Sequence, residues 1–474
     1  MKYDVVIGLE IHAELNTNTK LFCGCANDTN SPANTNVCPM CLAMPGAIPI
    51  VNKAAIEKII MAGHAFDCVI NEKVFFERKH YFYPDLPAGY QISQLAMPQC
   101  IGGHANLKNG KRIRLNRIHL EEDAGKSMHD EVNQETLIDL NRAGVPLIEM
   151  VTEPDISSSQ DAMEFLEEVR SRLTFAGVAF CKMEEGGMRC DVNISLKPSG
   201  SKKLGNRIEM KNLNSFKMVG RAIEYEIKRQ SSVLDDGGVV SVETRKWNDG
   251  RGVSLPMRRK SGEADYRYFA DPDQPVISIP TKEIERLKKA LPRLAHEWRN
   301  ELSKMGLTDY DADILTRDKV FLQFYMENLN LLNEPKKVAN WLITDVLARC
   351  ENFRVLISPK QFVDVIKLVD LKKISKKNSL DLIDAIWGTD KDAEKCANEL
   401  KILGGIGASD IEKIVNDLVK QNQKAVADYT TTPDKVVNFF MGQVMKITQG
   451  KADSVLTKEI VIKKASSTRS DERL

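Results

Sequence analysis

Five segments of this chain alternate polar and apolar residues with a period of two, and that repeat restricts the fold more than any other feature. Val5–Glu14 puts Ile7, Leu9 and Ile11 on one side and Gly8, Glu10, His12 and Glu14 on the other. Lys111–Leu120 runs into Glu121-Glu122-Asp123, with Ile118 and Leu120 on one side and Arg117, His119, Glu121 and Asp123 on the other. Successive side chains of a strand point to opposite faces, so Glu122 is expected to turn toward the Ile118 side. Gly125 then permits a turn into Lys126. Leu137–Asp155 reads as two strands joined at Gly144-Val145-Pro146. Within it Glu149 stands alone in an apolar run, where an unpaired carboxylate is expensive. Met183–Leu196 sets Arg189, Asp191, Asn193 and Ser195 against Val192, Ile194 and Leu196. Ile208–Ser215 repeats the pattern with Glu209 and Lys211. One such face is an ordinary solvated strand. Five of them, mixing acids with His, Arg and Lys, predict an antiparallel sheet whose polar face is a site. Carboxylates there suit Mg²⁺, and Arg or Lys suits phosphate oxygens. The chain has neither a P-loop nor a dinucleotide glycine fingerprint, so an ATP site would be built on carboxylates of the sheet.

Cys23, Cys25, Cys38 and Cys41 follow the spacing C-x-C-x₁₂-C-x₂-C. The intervening Asn27–Asn36 stretch is turn-rich and buries little, so a cross-link would help hold it. Four thiolates in two close pairs suit a tetrahedral Zn²⁺. A closed Cys₄ set leaves no position for substrate, which makes the expected ion structural. The zinc module spans about 20–45. Cys68, Cys100, Cys181, Cys190, Cys350 and Cys396 lack ligand spacing and read as core or surface residues.

The remainder is globular. Lysine plus arginine (67) nearly balances aspartate plus glutamate (66), so nucleic-acid contact must come from local patches. Met1-Lys2-Tyr3-Asp4 leads straight into a strand-like run, and no stretch approaches the roughly 18 apolar residues of a membrane span. A cytoplasmic protein with reduced or metal-bound cysteines is expected. Lys53–Phe66, Ala162–Phe175 (N-caps in Ser157–Ser159) and Phe216–Gln230 (N-cap Asn214 or Ser215) read as helices. Phe75–Asp85 interleaves aromatic and basic residues in a pattern that fits base stacking or a charged-edge core strand equally well, and Tyr90–Gln94 reads as a continuing loop. Pro272, Pro275 and Pro280 end a first domain. From about Leu287 helical periods dominate: Lys319–Leu331, Ala339–Ala348, Lys360–Leu368, Leu380–Ile386 and Asp410–Leu418, with a break at Gly404-Gly405. Lys420, Lys424, Lys435, Lys446 and Lys451 make the last module modestly basic. The end from Ala465 is polar and expected to fray.

In order, these blocks resemble the B-subunit family of the aspartyl/glutamyl-tRNA amidotransferases, GatB. The resemblance rests on Gly8–His12, Asn36–Pro45, Tyr81–Asp85, Glu121–Lys126, Asp139–Asp155, Arg189–Asn193, Lys211–Phe216, Asp265–Phe269, Ala339–Leu342 and Met441–Met445. It covers nearly the whole length, and the four cysteines match the zinc-bearing branch. The tail departs from the pattern: Thr432–Val437 replaces a glycine-rich lead, and the chain after Asp453 is irregular.

The resemblance implies an α+β fold: an antiparallel-sheet cradle domain at 1–290 carrying the Cys₄ zinc module, an all-helical domain at 291–403, and a small helical tail at 404–474 that binds tRNA. It also implies a two-step reaction. ATP phosphorylates the side-chain carboxylate of Glu on tRNA(Gln) or Asp on tRNA(Asn), and ammonia then displaces phosphate. The implied partners complete a heterotrimer: an amidase-type subunit, which supplies ammonia, and a small third subunit. Mapped onto the polar face, His12, Glu121 and Glu149 are the expected Mg²⁺ ligands, with Glu10 and Asp191 near a second metal position. Arg189, Lys211 and Lys126 are the expected phosphate contacts. Two other classes stay open from the residues alone: a stand-alone ATP-dependent carboxylate–amine ligase, and a zinc-containing RNA-binding scaffold without catalysis.

Overall fold

Alternation in the first segment becomes strand β1 (Tyr3–Glu14), which buries Ile7, Leu9, Ile11 and Ala13. The computed structural model describes residues 2–130, 132–183, 185–259, 266–403, 408–427, 429, 432–448 and 452–467. The expected break at Gly404-Gly405, together with Lys451, Asp265 and the end from Thr468, lies outside the described residues. Helix α1 (Lys53–Ala65) is capped by Asn52, whose side chain accepts from Ala54 N–H. Short strands β2 (Val69–Ile70), β3 (Lys73–Val74), β4 (Glu77–His80), β5 (Tyr90–Ser93), β6 (Cys100–Ile101) and β7 (His104–Asn106) lead to the long β8 (Arg112–Glu122). Next come β9 (Lys126–Asp130), β10 (Glu135–Asp139), β11 (Pro146–Thr152), helix α2 (Ser159–Phe175), β12 (Met188–Pro198), β13 (Ile208–Lys211), helix α3 (Phe216–Asp235), β14 (Glu243–Asn248) and β15 (Val253–Arg259). Strands β16 (Phe269–Ala270) and β17 (Ile277–Ser278) follow.

Among the described residues the main sheet has ten strands in the order β15-β14-β13-β12-β1-β11-β8-β6-β2, with β7 added beside β8. The five alternating segments supply its contiguous centre, β13-β12-β1-β11-β8. Neighbours there run antiparallel. The pair β13–β14 is parallel, because the long α3 connection carries the chain back to the same end of the sheet. Opposite Val151 and Thr152, β8 carries one extra residue: Arg117 pairs with Val151 and Leu115 with Thr152. This bulge keeps odd-numbered Ile113 and Leu115 in the core along with even-numbered Ile118 and Leu120.

Helices α1, α2 and α3 pack in series, α1 against β8 and α3 against β12 and β15, and cover the apolar face. Gly63 lets α1 come close. A Cβ there would stand 2.6 Å from Cys100 Sγ and 2.4 Å from Ile70 Cδ1. Beside β14, fully buried Glu226 of α3 holds Arg229 at 2.8 Å and Arg245 at 3.4 Å.

Four local expectations change. Tyr90–Ser93 is a strand and not a loop: it pairs with β4, and Ile92, Ser93 and Gln91 are buried. Of the two strands in Leu137–Asp155, only β11 joins the main sheet, since β10 pairs with β9 in a separate hairpin. Ala339–Ala348 is not one α-helix. It begins in a helix at Pro335–Trp341, widens to a π turn at Leu342–Val346 and tightens to a 3₁₀ turn at Leu347–Arg349. Ala465–Ser467, expected to fray, instead close the helix Ser454–Ser467 at the end of the described residues, with Ala465 buried.

The chain divides at Glu297–Trp298 into two units. In the second, helices Lys319–Leu332 and Pro359–Asp370 pack with Phe324 edge-on to Phe362 at 5.9 Å. Further along, helices Ala408–Gln421, Pro433–Ile447 and Ser454–Ser467 share a core of Ile411, Val415, Phe440, Val444 and Val461. No described helix is long and apolar enough to cross a membrane.

Candidate functional site

Antiparallel register assembles the polar face row by row. His12 of β1 lies opposite Arg189 of β12 on one side and Glu149 of β11 on the other, and Glu149 lies opposite His119 of β8. In the adjacent row Glu10 faces Asp191. Directly opposed residues of such a pair project to the same face, so strand pairing alone brings distant acids and imidazoles together.

His12 Nε2 stands 3.3 Å from Glu121 Oε1 and 3.4 Å from Glu149 Oε2. His119 Nε2 is 3.6 Å from Glu149 Oε2, and Arg117 reaches Glu149 at 3.7 Å. Burial penalises charge on His12, but its bonds to Glu121 and Glu149 hold its pKa well above the ordinary value. His119 goes the other way: burial outweighs the same carboxylates, and Arg117 Nε donates to its Nδ1. Glu149 is held below the usual carboxylate range against its burial, chiefly by His119 and His12. Glu10 is pushed up by burial and then by the Glu149 charge. Two overlapping sets, Glu10–His12–Glu149 and His119–Glu121–Glu149, each bring one ligand atom per residue within 4.8 Å of the others. Glu121 is 2% exposed, and its Oε2 is buried without a hydrogen-bond partner, 3.9 Å from His119 Nε2. A buried carboxylate oxygen left so is costly, and a cation would relieve it. The donor set therefore fits a divalent metal ion.

The expected phosphate contacts fall in different places. Lys211 ion-pairs with Asp191 and, at 2.9 Å, with Glu209. Arg189 is bound to Asp123, with Glu14 at 3.7 Å, and Arg142 also reaches Asp123 at 3.3 Å. Both cations lie beside the acid cluster, each already matched by a carboxylate. Lys126 is exposed at the start of the β9–β10 hairpin, and no described ion pair or hydrogen bond of its side chain joins it to the cluster. Glu122 points away from the cluster. Its Oε1 accepts from Ile92 N–H at 3.1 Å, and burial pushes its pKa up to about 8.

The structure adds residues that sequence reasoning left out of the site. Arg117 and His119 alternate with Glu121, so the period-two rule already placed them on its face. Lys79 has a weaker signal. Its ammonium lies 5.2 Å from the Tyr266 ring centroid and 5.8 Å from that of Tyr81. Burial alone would lower its pKa, yet Glu121, Tyr268, Glu149 and Tyr266 together hold it above the ordinary value. Tyr81, Tyr266 and Tyr268 form an edge-to-face chain around it. Only its place in the aromatic–basic run Phe75–Asp85 hinted at this.

The four cysteines converge as their spacing requires. Cys41 Sγ lies 3.7 Å from Cys23, 3.8 Å from Cys38 and 3.9 Å from Cys25, and all four sulfurs lie within 4.8 Å of one another. Sulfurs about 2.3 Å from a tetrahedral Zn²⁺ stand about 3.8 Å apart, so the set fits such an ion. The thiol of Cys41 is pulled down to about 4, first by the Cys23 thiol and further by the Lys20 charge.

Comparison with known proteins identifies the family. Residues 5–285 match the family model of the GatB/GatE catalytic domain, and residues 323–465 match that of the GatB domain. The chain is similar to the B subunit of the aspartyl/glutamyl-tRNA(Asn/Gln) amidotransferase of Caldicellulosiruptor saccharolyticus, at 44% identity over 97% of this chain and 98% of the relative. The proteins of the same name from Symbiobacterium thermophilum (42%, covering 97% of each chain) and Persephonella marina (41%, covering 97% of this chain and 99% of the relative) are similar throughout. With both family models matched in order and relatives aligned end to end, the chain belongs to the GatB/GatE family.

Proposed function

We propose that this chain is the B subunit of a glutamine-dependent aspartyl/glutamyl-tRNA amidotransferase, a carbon–nitrogen ligase of protein biosynthesis. It amidates Glu on tRNA(Gln), Asp on tRNA(Asn), or both. The observation that carries this reading is the buried Glu121–His12–Glu149 cluster, flanked by Lys211 and Arg189, in a member of this family. In the first step a side-chain carboxylate oxygen of the aminoacyl group attacks the γ-phosphorus of ATP. The bond to the bridging oxygen breaks, and ADP leaves. In the second, ammonia attacks the acyl-phosphate carbon; a C–N bond forms, inorganic phosphate departs, and a proton is lost. Phosphorylation is needed because a free carboxylate has no leaving group. Phosphoryl transfer itself asks the protein for positioning and charge neutralisation more than for covalent help.

His12, Glu121 and Glu149 would hold Mg²⁺, with Glu10 and Asp191 near a second position. The ion would supply charge neutralisation at the phosphate oxygens. Lys211 and Arg189 orient phosphate groups by exchanging a carboxylate partner for a phosphate oxygen, with Lys126 as a further contact. Lys79 and its tyrosine shell exclude water above the acids. Cys23, Cys25, Cys38 and Cys41 would hold a structural Zn²⁺. The division into a cradle at 1–290, a helical domain at 291–403 and a tRNA-binding tail at 404–474 belongs to the same reading. So do the two partners of the heterotrimer, one amidase-type and one small, and a cytoplasmic location.

Purified chain with ATP, Mg²⁺, ammonium and Glu-tRNA(Gln), alone and with the two partner chains, tests it. Amidated tRNA and stoichiometric phosphate are expected. Product from free glutamate would favour a stand-alone ligase. Binding of tRNA without phosphate release from any mixture would favour a scaffold.

A further inference from the structure

Lys20 has no exposed surface at all, and a lysine so buried needs a reason. Its Nζ donates to the carbonyls of Asn36 at 3.0 Å and Leu140 at 3.4 Å, and to Cys41 Sγ at 3.4 Å. None of its described contacts is an ion pair with a carboxylate; Glu122, across Gly144 from it, stays beyond ion-pair distance. The charge that answers its ammonium must then come from the sulfurs. Four thiolates around a divalent ion carry two surplus negative charges, and of the four only Cys41 is buried from water, so the need is mutual where Lys20 meets it.

Lys20 also sits where the cysteine module meets the site strands. The loop between the cysteine pairs is clasped to the chain entering β11. Asn36 N–H donates to Asn141 Oδ1 at 3.0 Å, and Asn141 Nδ2 donates to the Ser31 and Pro32 carbonyls. Beside Lys20, Leu21 N–H donates to Gly144 O at 2.8 Å, and Gly144 N–H donates to Asp123 O at 3.0 Å. Asp123 is the partner of Arg189. Hydrogen bonds, joined by the backbone of Lys20-Leu21 and of Gly144, thus link the Cys₄ set to the edge of the polar face.

We propose that Lys20 is the positioning residue of the Cys₄ centre: its ammonium binds the Cys41 thiolate, offsets the charge of the tetrathiolate, and ties the metal knot to the connection that holds Asp123. This rests on the reading of the four cysteines as a zinc centre, so the metal content of the wild-type chain is measured first. A wild type without zinc refutes that reading and leaves nothing for Lys20 to balance.

With zinc present, its release to a chromogenic chelator is followed in the full-length wild type, Lys20→Met and Lys20→Arg. Losing an outer partner of a metal ligand typically weakens binding about 10–100-fold. Zinc release at least about tenfold faster in Lys20→Met, partly restored in Lys20→Arg, is expected. In the cobalt-substituted protein the thiolate-to-metal charge-transfer band should shift in Lys20→Met. A folded Lys20→Met that keeps wild-type release and an unshifted band overturns the assignment. Should Lys20→Met not fold, acetylation of Lys20 in the wild type is read by peptide mass spectrometry. Protection that persists unchanged after zinc removal overturns the proposal, and protection lost with the metal supports it.

Discussion

His12 and Glu149 stand directly opposite each other on adjacent antiparallel strands, 3.4 Å from Nε2 to Oε2, although 136 residues of chain lie between them. Their pairing fixes the centre of the acid cluster without any loop. It also makes the cluster as rigid as the sheet, which suits a site whose work is positioning.

The cysteine centre should be tested by its ligands. Cys38→Ser and Cys41→Ser are each expected to weaken zinc binding at least about tenfold and lower the unfolding midpoint, because metal binding is folding energy in such modules. Cys350→Ser, whose thiol donates to Val346 O, should keep the metal. Metal analysis and thermal unfolding check this; equal zinc in all three variants would speak against the centre.

Lys211 should report on ATP. Losing a hydrogen bond to a charged group costs about 1.5–3 kcal/mol, or roughly 10–100-fold. Lys211→Met is expected to raise the KM for ATP by that factor while leaving tRNA affinity nearly unchanged. Steady-state kinetics with ATP varied is the measurement, and an unaltered KM removes Lys211 from the site.

Acid stability should depend on Glu226. Its carboxyl is buried, and although burial alone would raise its pKa, bonds from Arg229 and Ser254 depress it below the ordinary 4.5. A depressed carboxyl contributes stability fully present above its unfolded value, and that contribution is lost as pH falls through the folded one. Glu226→Gln, which leaves Arg229 and Arg245 without their shared anion, should cost about 3–5 kcal/mol at pH 7. The gap from wild type should narrow below about pH 4.5. Unfolding midpoints of both proteins across that range decide it; a gap independent of pH contradicts the pairing.

Packing of α1 on the sheet can be probed at Gly63. Alanine favours a helix over glycine by about 1 kcal/mol. Here its methyl would meet Cys100 and Ile70, and overpacking costs about 1–3 kcal/mol. Gly63→Ala should therefore be neutral to destabilising and Gly63→Val clearly destabilising. Denaturant unfolding measures both, and a gain in stability from either would show that the helix has room to move.

Much of the site was legible because the polar face is written with a period of two in five segments, and those five became adjacent strands. The cysteine set was legible from its spacing. What could not be read was set by contacts distant in sequence. Tyr90–Ser93 is too short and too little alternating to declare itself a strand, and only pairing with Glu77–His80 makes it one. Strand β10 leaves the main sheet because β9 offers it a local partner. Lys79 comes near Glu121 and Glu149 only through a three-stranded sheet closed by Phe269–Ala270, nearly 200 residues later. The face of Arg189 was predictable, but its capture by Asp123 was not, because that depends on how β12 and the end of β8 project across the sheet.

Replacing Glu149 by glutamine keeps its shape and removes the negative charge at the centre of the cluster. Glu149→Gln is assayed with ATP, Mg²⁺, ammonium and Glu-tRNA(Gln) or Asp-tRNA(Asn), with tRNA binding measured in parallel. Loss of amide formation by at least about 10²-fold, on the scale of removing a preorganised electrostatic group, with tRNA affinity preserved, is the predicted result. Wild-type turnover by a folded Glu149→Gln protein would contradict the placing of the reaction on this sheet face.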